Sequence, residues 1–280
     1  MNMTDIFKTV LILSALGSLI ILILTAIKPL TEKYLPARWQ NLIWLLACIC
    51  MLFPFWKIIP YENAVYYTTY FSSRPPQNEN VIGGADAPTD IFIGPAPADE
   101  NASPPPKKAI DIFKTAAYIW LFGSAAFFAS GILSYIIFLY KKRKNSIDLS
   151  SNTVLEEIKK ELKIKRKIKI RISNDKDSPM LTGILFPVIY IPNIRLDEKT
   201  EKMIFRHELM HLKCGDLYFK WLTLFVCAVH WFNPLSYILS RNVNQSCEIA
   251  CDMAVIKNMD EENKKFYMET ILNLAEKEKR

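Results

Sequence analysis

Long apolar runs alternate with polar stretches along this chain. Thr9 to Ile27 carries no charge and few polar side chains. At 1.5 Å per residue its ~19 residues make roughly 28 Å of helix, about one hydrocarbon core. Asn41 to Trp56 is a shorter second run, with Trp39, Trp44 and Trp56 available as interface anchors. Ala116 to Tyr140 is the third, and Gly123, Ala126, Ser130 and Gly131 give it a small-residue face for helix packing. Three runs of this kind argue for membrane spans over buried core helices. A cleaved signal peptide fits the first run poorly, because its basic flank is weak and no small-x-small site follows.

Trp221 to Leu239 is also apolar, but His230-Trp231-Phe232-Asn233-Pro234 interrupts it. Pro234 lacks an N–H and disfavours helix at Asn233, so the pattern predicts a turn there. Asp216 to His230 then gives roughly 22 Å of helix outward and Leu235 to Glu248 roughly 21 Å back. A membrane-associated helical hairpin is expected, with a simple fourth span as its rival.

Other periods appear from Asn145 onward. Thr153 to Leu162 reads as an amphipathic helix with Thr153 as N-cap and Glu156 closing a capping box. Lys167 to Ile172 alternates basic and apolar, as a half-buried strand does. Between Ser178 and Pro192, Pro187 argues for an edge strand or a bend. An edge there could pair with an extended peptide through Gly183, Ile184 and Leu185, and an ordinary hairpin fits equally well. Lys202 to Leu217 is apolar-periodic, and Asp197 stands where an N-cap would start that helix. Glu261 to Arg280 is amphipathic around Phe266, Ile271 and Leu274. The chain therefore divides into two spans over 1–59, a Pro-rich loop over 60–110, a third span over 111–144 and an α+β domain over 145–280, with the hairpin near 216–247.

Charge sets the orientation. Of 280 residues, 51% are hydrophobic, and the formal net charge is +7. The basic residues lie beside the spans: Lys28, Lys33 and Arg38, then Lys141 to Lys144. By the positive-inside rule these are cytoplasmic, so the N-terminus and the acidic 61–109 segment lie outside. No basic module interleaved with aromatics is present, so direct nucleic-acid binding is not expected. Contact with membrane lipid is expected. The six cysteines follow no disulfide spacing, and free thiols are expected. Within the outer segment, residues 82–92 are similar to a Gly-Gly-Ala-Asp-Gly-Pro-Thr motif of sodium-pumping decarboxylase β subunits. The likeness covers about a dozen residues without that family's surrounding spans, and an exposed Gly/Pro turn explains them better.

The chemistry gathers at Arg206-His207-Glu208-Leu209-Met210-His211-Leu212. Residues four apart stack on one helix face, so His207 and His211 can share one Zn²⁺ ion. Glu208 can reach an activated water and take its proton without being a ligand. Two of the chain's three histidines fall in this box. Glu248 is the expected third ligand, brought back by the hairpin, and Cys247 and Cys251 are the soft alternatives. Asp252, four residues beyond Glu248, would accept a hydrogen bond from a ligand histidine. His230 reads first as a turn residue, because the hairpin carries it away from the zinc, with an oxyanion donor as the alternative.

These residues, with Ser178-Pro179, Thr182-Gly183, Phe186 to Pro192, His230 to Leu235 and Ala250-Cys251-Asp252, resemble the BlaR/MecR-type membrane metallopeptidases. The resemblance implies a gluzincin-like peptidase domain on a helical membrane bundle. It implies zinc held by His207, His211 and Glu248, with Glu208 as base. It further implies signal transduction by cleavage of a cytoplasmic, repressor-like protein. A homodimer is compatible with it. Known members sense β-lactams through an outer domain after a fourth span. This sequence shows neither, so the expected input is unassigned or lies within 61–109. The alternatives are a non-catalytic scaffold with structural zinc and a quality-control protease of the HtpX type.

Overall fold

The computed structural model describes residues 2–55, 111–149, 152–175, 178–194, 196–257 and 259–278, with side chains as far as 274. The 60–110 loop, its 82–92 motif and Trp56 lie outside the described residues.

The apolar runs form α1 (Met3–Tyr34), α2 (Ala37–Leu52) and α3 (Ile112–Lys144). α1 and α3 are long and apolar enough to cross a membrane, with mean hydropathy of 2.8 and 1.8, whereas α2 is a shorter apolar helix. Their outward faces are apolar too: Leu19, Leu22 and Phe122 are exposed. α2 begins four residues before the expected Asn41, because Pro36 stands at its N-cap and starts the helix there. Small residues allow close approach where the sequence places them. A Cβ on Gly17 would stand 2.5 Å from Met51 Cγ, and one on Gly131 would stand 2.8 Å from Leu224 Cδ1.

The chain turns back at Asn233 and Pro234. Antiparallel α6 (Asp216–Val229) and α7 (Pro234–Ile256) pack on one another, and α7 lies along α2. The tip is polar yet buried, so its groups need partners inside the bundle. Asn233 Nδ2 donates to Ser14 Oγ and Ser18 Oγ, each at 2.8 Å. Asn233 Oδ1 caps α7 by accepting from Leu235 N–H. Trp120 Nε1 donates to Val229 O at 2.8 Å. At the other end, Lys28 Nζ donates to Asn242 Oδ1 and Gln245 Oε1, one turn short of Glu248.

Beyond α3 come β1 (Ser146–Leu149), α4 (Thr153–Glu161), β2 (Lys169–Ser173), β3 (Met180–Thr182) and β4 (Val188–Pro192). The sheet order is β1-β2-β4-β3, with β2 and β4 parallel and the other two pairs antiparallel. α4 is capped by Asn152, not Thr153. The Asn152 side chain accepts from Leu155 N–H at 2.9 Å and also donates to Glu201 Oε1, which ties α4 to the next helix. The stretch around Pro187 is a hairpin whose first strand is the edge. β4 is interior because Pro187 sits just before its ladder, where a missing N–H breaks no strand bond.

α5 (Glu198–Cys214) and α4 cover one face of this sheet. Leu155, Ile158, Ile170, Ile189, Phe205 and Leu209 form the core between them. α8 (Glu261–Glu278) closes the other side of α5. All six cysteines are free thiols.

Candidate metal centre

α5 is held at both ends. Asp197 Oδ2 accepts from Thr200 N–H at 3.1 Å, and Gly215 at φ 78° ends the helix while its N–H bonds His211 O. This places His207 and His211 one turn apart. Their Nε2 atoms are 3.1 Å apart, with the rings at 89°. α7 then brings in Glu248, whose Oε2 lies 3.2 Å from His211 Nε2 and 3.9 Å from His207 Nε2.

The other ring nitrogens are occupied. His211 Nδ1 lies 2.6 Å from Asp216 Oδ2. His207 Nδ1 lies 2.7 Å from Tyr267 Oη and 3.2 Å from Asp252 Oδ1. Ring tautomers follow from such partners. With both Nδ1 atoms engaged, the two Nε2 atoms and the Glu248 oxygen converge on one point, which a shared proton or a metal ion can fill. Two zinc–nitrogen bonds of ~2.0–2.1 Å at a tetrahedral angle would set the nitrogens ~3.3 Å apart, close to the spacing present here.

Cys251 is the rival donor. Its sulfur lies within 4.8 Å of ligand atoms of His207 and His211. The thiol, however, donates to the His207 backbone carbonyl at 3.4 Å, and burial pushes its pKa up to about 12. Glu248 and Cys251 thus both stand within reach of the paired imidazoles. Cys247 instead hydrogen-bonds Asn41 Oδ1 at 3.5 Å, among the apolar helices.

Without a metal, the cluster itself favours positive charge on His211. Burial works against charge on His211, but hydrogen bonds involving Asp216, Cys251 and Glu248 outweigh it and raise its pKa. Burial likewise pushes Glu248 up, yet His211, Lys220 and His207 bring it down to about 2. Glu208 differs. It is buried, with 6% of its surface exposed, and burial raises its pKa. The backbone N–H of Leu181, on edge strand β3, bonds to it.

Two expectations are corrected here. His230 is not at the centre: it is fully buried at the hairpin tip, and its Nε2–H donates to Met51 O at 3.0 Å. Fifteen residues of α7 separate Asn233 from Glu248, roughly 22 Å of helix, so His230 cannot serve an oxyanion there. Gly183, Ile184 and Leu185 are not on the free edge either. They form the bend after β3, where Gly183 N–H bonds Tyr135 Oη at 3.2 Å and Arg166 Nη2 donates to the carbonyls of Ile184 and Leu185. Leu181 is where the edge meets Glu208. Asp216 and Tyr267 went unassigned from sequence. The Gly-Asp pair just after the second histidine was a usable signal for Asp216, whereas no local pattern marked Tyr267.

The family model described as BlaR1 peptidase M56 matches residues 8–280. The chain belongs to the BlaR1 peptidase M56 family. The M56 chain is 28% identical to the methicillin resistance mecR1 protein of Staphylococcus aureus, over 95% of its own length and 46% of that protein. It is 29% identical to the regulatory protein BlaR1 of Bacillus licheniformis, over 56% of its own length and 27% of that protein. The M56 chain thus spans about half the length of the first of these relatives or less. Membership makes it a metallopeptidase-family protein with transmembrane helices, related to membrane signalling proteins.

Proposed function

We propose that this chain is a membrane-embedded zinc endopeptidase that acts in signal transduction by cutting a cytoplasmic, repressor-like protein. The observation that carries the reading is the return of Glu248 on α7 to the paired Nε2 atoms of His207 and His211. A zinc ion held by these three residues would supply Lewis acidity toward a water and a peptide carbonyl. The rest follows from the chain's own groups. Glu208 takes the proton from the attacking water at its carboxylate and gives it to the leaving amine nitrogen. Burial raises its proton affinity above that of an ordinary carboxylate. β3 is the edge strand of the sheet and offers an extended substrate a backbone partner beside Glu208.

The membrane arrangement supports a cytoplasmic site. α1, α2 and α3 are read as spans in a multi-pass fold, with the N-terminus outside. Lys28 and the Lys141 to Lys144 cluster mark the inner surface. Glu248 lies one turn beyond the residues that Lys28 binds, at the level where water can reach it. The gluzincin-like assignment rests on the same constellation: an H-E-x-x-H helix and a glutamate from the next returning helix. The names of the relatives, a methicillin resistance protein and a regulatory protein, favour a regulatory target over general protein turnover.

Glu208→Gln tests the assignment. Purified in detergent, the variant should keep one zinc per chain while hydrolysis of a quenched-fluorescent peptide library falls by at least ~10²-fold. Cleavage at the wild-type rate by that variant sinks the catalytic reading. A chain without bound zinc sinks the metal reading.

A further inference from the structure

We infer that Tyr267 is a positioning residue for His207, and that docking of α8 and binding of the metal are a single linked event; this rests on the zinc reading above. Tyr267 is 2% exposed and stands on α8, about sixty residues from the histidine it touches. A phenol has one proton to give. Here it goes to Asp252 Oδ1 at 2.6 Å, which leaves Oη free to accept from His207 Nδ1–H at 2.7 Å. Asp252 approaches Nδ1 directly only at 3.2 Å, so the hydroxyl is the closer partner. The relay His207 Nδ1–H to Tyr267 Oη to Asp252 Oδ1 holds the tautomer that keeps the Nε2 lone pair on the metal side.

The relay joins three helices, α5, α7 and α8, at one point. α8 is otherwise held by apolar packing on Met203, Met210, Cys251 and Val255. If α8 leaves, His207 loses its closest Nδ1 partner and its ring is free to turn. Linkage is reciprocal, so an ion that fixes His207 must also hold α8 in place.

Tyr267→Phe in the whole, detergent-solubilised chain tests this, because it deletes the hydroxyl and keeps the ring. Zinc affinity, read by competition with a fluorescent chelator, should fall ~10–100-fold. The visible spectrum of the Co²⁺-loaded chain should change as His207 reorients, which loosened packing elsewhere would not produce. In wild type, zinc should slow amide exchange over 261–274, and in the variant it should not. Affinity within about twofold of wild type, an unchanged Co²⁺ spectrum, or exchange still governed by zinc in the variant overturns the inference. Should the Phe variant fail to fold, Asp252→Ala, which removes the acceptor of the Tyr267 proton, takes its place in the same three measurements, and the same outcomes support or overturn the relay. Wild-type chain that binds no zinc overturns the metal reading and this inference together.

Discussion

Glu208 combines a buried charge with a proton-transfer task. Burial raises its pKa, and only the ionised form can accept a proton. Activity should therefore fall as Glu208 is protonated: kcat/KM on a peptide substrate should show an acid limb, and a rate that does not fall toward acid pH would count against Glu208 as the base. The stability sign runs the other way. A raised folded pKa means the folded state holds the proton more tightly, so the contribution to stability is present at low pH and lost as pH rises. Metal-free Glu208→Gln, with no charge to bury, should thus melt at or above wild type at neutral pH. Asp216 has a different task. It is 1% exposed, and its Oδ2 fixes His211 through Nδ1. Asp216→Ala should weaken zinc binding ~10–100-fold in a chelator competition.

Among the elements, the α6–α7 hairpin places the third ligand. Its tip stays inside the bundle because Asn233 caps α7 with one end of its amide and bonds Ser14 and Ser18 with the other. Asn233→Ala removes the cap and leaves polar groups of α1 unpaired. A loss of about 1–3 kcal/mol is expected, read as a lower melting temperature of the detergent-solubilised chain. The start of the hairpin depends on Gly215, at φ 78°, a conformation that costs other residues about 1–2 kcal/mol. Sequence pattern was informative at this scale wherever one segment sufficed. The helix over the zinc box, its Asp197 cap and the turn at Pro234 are all local signals. The cap of α4 was misplaced by one residue because Asn152 also answers Glu201, a partner on another helix. The Pro187 stretch was read as edge or bend because an isolated strand does not say which of its two sides will be bonded.

For the whole molecule, the reading requires the peptidase side and the N-terminus to lie across the membrane from one another. A membrane-impermeant maleimide applied to intact cells should label Asn2→Cys and spare Lys257→Cys, and permeabilisation should expose both. Labelling of Lys257→Cys in intact cells would overturn the topology. On this reading α3 connects the two sides. It carries Lys142, which pairs with Asp175 at 3.0 Å, and Tyr135, which accepts from the β3–β4 bend. Movement of α3 would therefore reach the strand that borders Glu208.

The amino-acid pattern alone determined the apolar helices, the returning hairpin and the pair of histidines, because each is written in the periodicity or the turn chemistry of one contiguous stretch. It also nominated Glu248 and Asp252, since a returning helix limits what can come near. Only the folded chain decided that Leu181 and not the bend faces Glu208, that His230 closes a buried tip, and that Asp216 and Tyr267 hold the two rings. Periodicity says which face of a segment avoids water. Which distant atom meets that face is settled by how several helices pack at once, and no single stretch encodes it.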